Sequence, residues 1–165
     1  MKKVAILLFI TSSFVFAQKT YVPDDKFEQA LIDLGYDTTL DDSVLTANIS
    51  GVTSLNFAIT AIKKRSHGIS DLTGIEAFVA LEELNLWNNV LTSLDLSNNT
   101  ALTRLVCRSN SLTSLDVSKN TALVELNCAG NQLTSLDVSK NTALEYLYCY
   151  YNQLTSLDVS KNTAL

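Results

Sequence analysis

LTSLDVSKNTALVELNCAGNQ, from Leu112 to Gln132, decides how this chain folds, because it is one copy of a unit that repeats without a break. Near copies begin at Leu91 and Leu133, and a fourth begins at Leu154 and reaches Leu165. Cys107, Cys128 and Cys149 mark the step, each 21 residues from the next. So short a fixed period means one small structural unit stacked on itself, with each copy burying its apolar side against its neighbours. Function is then to be sought where the copies differ.

Within the quoted unit the half Leu123–Leu133 reads LVELNCAGNQL, in which Leu123, Leu126, Cys128 and Leu133 alternate with polar residues as a short half-buried strand requires. Asn131 follows at the bend, and Asn89, Asn110 and Asn152 occupy the same place in the other copies. A buried amide must satisfy its hydrogen-bonding groups, and stacked coil backbones can do so, which makes these asparagines structural. The pattern LxxLx[LC]xxNxL is the leucine-rich repeat signature. The other half, LTSLDVSKNTAL, has the same logic, with Leu115, Val117 and Asn120 in the places of Leu126, Cys128 and Asn131. Asn99, Asn120, Asn141 and Asn162 make a second series. Two nested half-repeats per coil predict a strand on each side and a narrow, mostly β solenoid.

Working outward, four regular units start at Leu81, Leu102, Leu123 and Leu144, and Leu165 opens a fifth, so the array is expected to continue beyond this chain. Residues 51–80 read as irregular first coils. In ISDLTGIEAFVAL, Ile69, Leu72, Ile75, Phe78 and Leu81 come in steps of three, which suits tight 3₁₀-like turns. Residues 18–50 read as an N-terminal cap region. There Phe27, Ala30, Leu31 and Leu34 have helical spacing, Asp24 or Asp25 can cap the helix and Gly35 can end it. Residues 1–17 read as a secretory signal peptide: Lys2 and Lys3, an uncharged apolar run from Val4 to Phe16, then small residues with cleavage after Ala17. No stretch approaches the ~20 apolar residues of a membrane span.

Without Lys2 and Lys3 the chain keeps ten basic against seventeen acidic residues, a net charge of −7. That sign argues against nucleic acid as a partner. The basic run Lys63, Lys64 and Arg65 reads as solvated surface, and His67, the single histidine, as a loop residue. No phosphate loop, nucleophile elbow or metal-ligand spacing is present, so neither an enzyme nor a cofactor is expected. Three cysteines in an exported chain raise the question of disulfides or a soft metal. On stacked strands they would sit ~4.8 Å apart and point the same way, poorly placed for a bond that needs Cβ atoms at ~3.8 Å. A ladder of free, packed thiols is the expectation.

The 21-residue unit with its strand cysteine, together with VPDDKFEQALIDLGYD and ISDLTGIEAF, resembles the nested leucine-rich repeats of secreted Bacteroidetes and flavobacterial proteins. The cysteine ladder is similar to the internalin J type of repeat. The resemblance implies an exported, monomeric binding protein at the cell surface, with a protein or a glycan as partner. If the Leu and Cys residues point inward, their neighbours point outward. Unit by unit these are Glu83, Asn85 and Trp87; Arg104, Val106 and Arg108; Glu125, Asn127 and Ala129; and Tyr146, Tyr148 and Tyr150. Trp87, Arg104, Arg108, Tyr146, Tyr148 and Tyr150 are residue types that dominate binding hot spots and are the candidate ligand-binding set, with Tyr151 adding to their aromatic area. The rival reading is a rigid spacer that presents a further C-terminal domain. Asp95, Asp116, Asp137 and Asp158 form a carboxylate column that must be bridged or hydrogen-bonded, with neighbouring Ser, Thr and Lys side chains favoured over calcium.

Overall fold

The structure is a computed structural model that describes residues 17–58 and 68–165. Residues 1–16 of the expected signal peptide, and Lys63, Lys64, Arg65 and His67, lie outside the described residues. The elements are β1 (Lys19–Tyr21), α1 (Asp25–Asp33), β2 (Ser43–Leu45), α2 (Thr46–Ile49), β3 (Ser54–Asn56), a 3₁₀ turn at Ile75–Ala77, β4 (Glu83–Asn85), β5 (Arg104–Val106), β6 (Glu125–Asn127) and β7 (Tyr146–Tyr148).

Strands β3 to β7 form one parallel sheet in chain order. Leu55, Leu84, Leu105, Leu126 and Leu147 are direct partners along it, so one inward leucine sits on the next. From Leu84 onward the spacing is 21 residues, whereas Leu55 and Leu84 are 29 apart. The step from β3 to β4 is therefore eight residues longer than the later ones. Behind the strands lies a continuous column of buried Leu, Val and Cys side chains running from Leu55 to Leu144. Full burial of each leucine is worth roughly 1.5–3 kcal/mol.

The expected second strand in each coil is absent. Residues 112–120 and their equivalents contain no ladder, although Leu115, Val117, Leu136 and Val138 point into the core. The alternation is real, but the backbone is held locally. Asp116 Oδ1 accepts the Ser118 N–H at 2.8 Å, and Asp95, Asp137 and Asp158 do the same for Ser97, Ser139 and Ser160. Each such turn bends the chain away from a strand path. The segment then tightens into three-residue turns, with Asn120 N–H bonding Val117 O and Leu123 N–H bonding Asn120 O.

At the N-terminal end, β1 pairs antiparallel with β2 beside α1. Asp24 caps α1, its Oδ1 accepting from Lys26 N–H and Phe27 N–H, while Gly35 at φ 82 ends it. Phe27, Ala30 and Leu31 are buried, and Leu34, expected on that face, is exposed because it stands at the helix terminus. The other oxygen of Asp24 reaches the first coil and accepts from Ser70 N–H, Ser70 Oγ–H and Asp71 N–H at 2.8–3.0 Å. Burial pushes this carboxyl up, but the bonds from Ser70, Phe27 and Asp71 prevail and hold it below the usual aspartate value. Phe27 also packs edge-on against Phe57 and lies 6.4 Å from Phe78. Gly74 completes the junction: at φ 106, any Cβ there would meet Tyr21 O at 2.7 Å.

Candidate functional site

Each outward position on β4 to β7 faces its equivalent one coil away, so the surface is a grid with a 21-residue step. In the first column Glu83, Arg104, Glu125 and Tyr146 are direct partners. Arg104 donates from Nε to Glu125 Oε2 at 2.8 Å and from Nη2 to Glu125 Oε1 at 3.3 Å. This two-point fork is partly shielded and holds both side chains flat along the sheet. In the second column Asn85, Val106, Asn127 and Tyr148 are partners. Asn85 Oδ1 and Asn127 Oδ1 turn back to cap the N–H of Trp87 and of Ala129. In the third column the Arg108 guanidinium lies 5.3 Å from the centre of the Trp87 ring, a cation–π stack.

These contacts change the reading of the candidate set. Trp87, Arg104 and Arg108 are engaged within the sheet face itself, Arg104 by Glu125 and Arg108 by Trp87. Val106 and Ala129, placed outward by strand alternation, are only 6 % and 2 % exposed. Tyr146, Tyr148 and Tyr150 are open to solvent, as is Tyr151, which strand alternation alone did not select. Tyr151 is 83 % exposed, and its ring meets Tyr150 edge-on at 5.1 Å. Three strand steps separate β4 from β7, so Trp87 and the tyrosines lie about 14 Å apart. The face thus divides into a charged and stacked region on β4 to β6 and an aromatic region on β7.

Tyr151 closes a further column. Asn88, Ser109, Gly130 and Tyr151 all have positive φ, between 56 and 66. This left-handed bend follows each of β4 to β7. It suits Gly130 and Asn88, but holding a tyrosine there costs roughly 1 kcal/mol or more. The bend throws the Tyr151 ring off the sheet.

Beneath the face lie the structural ladders. Asn131 Nδ2 donates to Cys107 O and Cys128 O at 3.0 Å, and its Oδ1 accepts Leu112 N–H at 3.0 Å. Asn110 and Asn152 repeat the arrangement, as does Asn89, which donates to Phe57 O and Leu86 O and accepts from Ile69 N–H. Cys107 and Cys128 are buried and Cys149, on the last coil, is half-buried; all three are free thiols. Burial pushes the Cys107 thiol far above its ordinary value and the Cys128 thiol up to about 12, and the neighbouring sulfur adds to both. They are protonated, packed side chains. The Asp95 to Asp158 column sits on the far side of the coil. There, serine N–H and side-chain hydrogen bonds hold the carboxyls below the usual aspartate range.

The comparisons with known proteins agree with this architecture. Residues 121–162 match the family described as leucine-rich repeats (2 copies). The chain is a leucine-rich repeat solenoid. It superposes on the functional domain of InlJ from Listeria monocytogenes, a structure described as including a cysteine ladder, with TM-score 0.79 and 40 % identity over 90 % of this chain and 32 % of that one. A leucine-rich repeat protein of Leptospira interrogans is 30 % identical, with TM-score 0.54, over 58 % of this chain and 26 % of the other. An internalin, InlF, of L. monocytogenes has TM-score 0.60 at 24 % identity over 88 % and 48 %, and shares the fold. The chain spans about a third of the length of the InlJ structure. No curated protein matches the sequence. No helix among the described residues is long and apolar enough to cross a membrane.

Proposed function

We propose that this leucine-rich repeat chain is a non-enzymatic, exported binding protein that recognises a protein or a surface glycan through the outward face of its parallel sheet. One observation carries the reading: variation is concentrated on that face. The opposite side repeats Leu-Thr-Ser-Leu-Asp in every unit, while the sheet face changes from Glu, Asn and Trp to a block of tyrosines. Tyr146, Tyr148, Tyr150 and Tyr151 supply large amphipathic area with few rotors to immobilise, which favours binding over solvation alone. Arg104 and Arg108, already held by Glu125 and Trp87, present partly ordered guanidinium groups beside them. The likeness to the internalins supports a place at the cell surface.

Capture of cell-surface proteins and screening on immobilised glycans, using residues 18–165, test this reading. Wild type is expected to retain a partner that Tyr148→Ala plus Tyr150→Ala loses by at least about tenfold, as removal of hot-spot aromatics does. Trp87→Ala should lose less, because its ring is already occupied by Arg108. Equal retention by all variants would favour the spacer reading, in which the uniform turn side is the working feature.

A further inference from the structure

The cap holds three carboxylates that the solenoid does not explain. Glu28 is fully buried on α1, Asp37 follows the end of that helix, and Asp41 precedes β2. One carboxylate oxygen from each lies within 4.8 Å of the other two, the only such group of three among the described residues. Glu28 Oε1 accepts the N–H groups of Asp41 at 3.0 Å and Ser43 at 2.9 Å, the two amides that flank Asp42 in its left-handed conformation. That bond pair explains why a glutamate is buried here. It leaves Glu28 Oε2 with no hydrogen-bond partner, and Asp37 Oδ2 is likewise buried and unpartnered. Lys19 Nζ meets only the outer member, 3.0 Å from Asp41 Oδ2, where both side chains are about half exposed.

We propose that Glu28, Asp37 and Asp41 bind a calcium ion. Glu28 Oε2 and Asp37 Oδ2, which no donor reaches, are repelled by each other and penalised by burial, and a cation held between them and Asp41, whose oxygens accept from Ser43 Oγ and Lys19 Nζ, relieves both. The donor set is oxygen only, which selects a hard cation over metals that prefer imidazole or thiolate. Size and geometry then favour calcium. At metal–oxygen distances of about 2.4 Å, two ligands of one calcium ion lie at most about 4.8 Å apart, a condition that three oxygens within 4.8 Å of one another meet, whereas the shorter bonds and strict octahedron of magnesium fit an irregular loop less well. The exposed side at Asp41 leaves room for water ligands, and Lys19 would exchange its place there for solvent. The ion would join α1 to the loop that enters β2. No sequence pattern announces it, because residues 28, 37 and 41 match no calcium-loop spacing and converge only once α1 and the loop are folded together.

Calorimetric titration of calcium chloride into chelator-treated residues 18–165 at neutral pH, with thermal melts in calcium and in magnesium, tests the proposal. One calcium per chain is expected, with a dissociation constant of about 10–1,000 µM and a weaker response to magnesium. The melting temperature should rise by about 5 °C at saturation. Glu28→Gln keeps an acceptor for the two amides and offers Asp37 a donor. It should melt higher than wild type without calcium and lose its calcium response at least tenfold, and Asp37→Asn should lose the response as well. No heat and no melting shift at about 5 mM calcium would overturn the proposal. So would an undiminished response in Glu28→Gln and Asp37→Asn, which would place the ion elsewhere, for example on the Asp95 to Asp158 column.

Discussion

The two sides of each coil have nearly the same residue pattern and are held by different means. On the strand side, main-chain ladders join the coils, and the amide of Asn131 has partners for donor and acceptor alike. On the turn side no ladder forms. Asn120 Nδ2 donates to Leu96 O and Asn99 O, while its Oδ1 is buried without a partner, and Asn99, Asn141 and Asn162 share that condition. A strand side held by its ladders and by the inward asparagine amides can tolerate surface change at most outward positions, Asn85 and Asn127, which bond main-chain N–H groups, being the exceptions. The turn side is built instead from short-range bonds that recur in each of the regular coils, where the sequence hardly varies.

Substitution should expose the difference. Asn131→Ala strips two carbonyls and one N–H of a buried partner and is expected to cost about 3–5 kcal/mol, read as a lower urea midpoint. Asn120→Ala strips two carbonyls and removes an oxygen that was itself unsatisfied, so a cost of about 2–3 kcal/mol is expected by the same titration. A larger loss from Asn120→Ala than from Asn131→Ala would break the contrast between the sides.

The thiols sharpen it within the strand side. Cys128 remains protonated in the folded chain up to about 12, while its unfolded value is near 9.0. Above pH 9 the unfolded chain loses this proton and the folded chain keeps it, so stability should fall by about 1.4 kcal/mol per pH unit for this thiol. Urea midpoints of wild type and Cys128→Ala between pH 8 and 10 measure the slope, which the variant should reduce. Native thiol labelling should reach half-buried Cys149 before Cys107 or Cys128. Rapid labelling of all three would mean that the coils open locally. The smallest effect is expected on the turn side at Asp116→Ala, where an exposed turn is lost for about 0.5 kcal/mol or less, within the usual range for surface changes.

The repeat, the strand cysteines and the helix behind Asp24 were legible because each is a local pattern with a known period. The second strand was misread for a physical reason: Leu115 and Val117 alternate as a strand does, and only the Asp116 bond to Ser118 N–H shows the chain turning instead. The pairs on the sheet face were present in the register itself, since Glu125 is one 21-residue step after Arg104 and Arg108 is one step after Trp87. Reading outward residues coil by coil, rather than as a pool of hot-spot types, would have found both. Tyr151 was legible as part of the aromatic area but its placement was not, because strand alternation ends before it and its left-handed bend is signalled only by Asn88 and Gly130 in other copies. The carboxylates of the cap were beyond sequence reasoning, since their contact depends on where a helix ends.

The 21-residue grid also makes the surface count its own coils. Excising residues 102–122 would be almost silent in the core, where Leu126 would settle on Leu84 and Cys128 on Leu86. Outside, the same excision would set Glu83 directly against Glu125 and leave Trp87 beside Ala129, replacing an attraction and a stack with a repulsion and a gap. Gain or loss of a repeat, the easiest genetic change for such an array, is therefore opposed at the surface even though the interior would accept it.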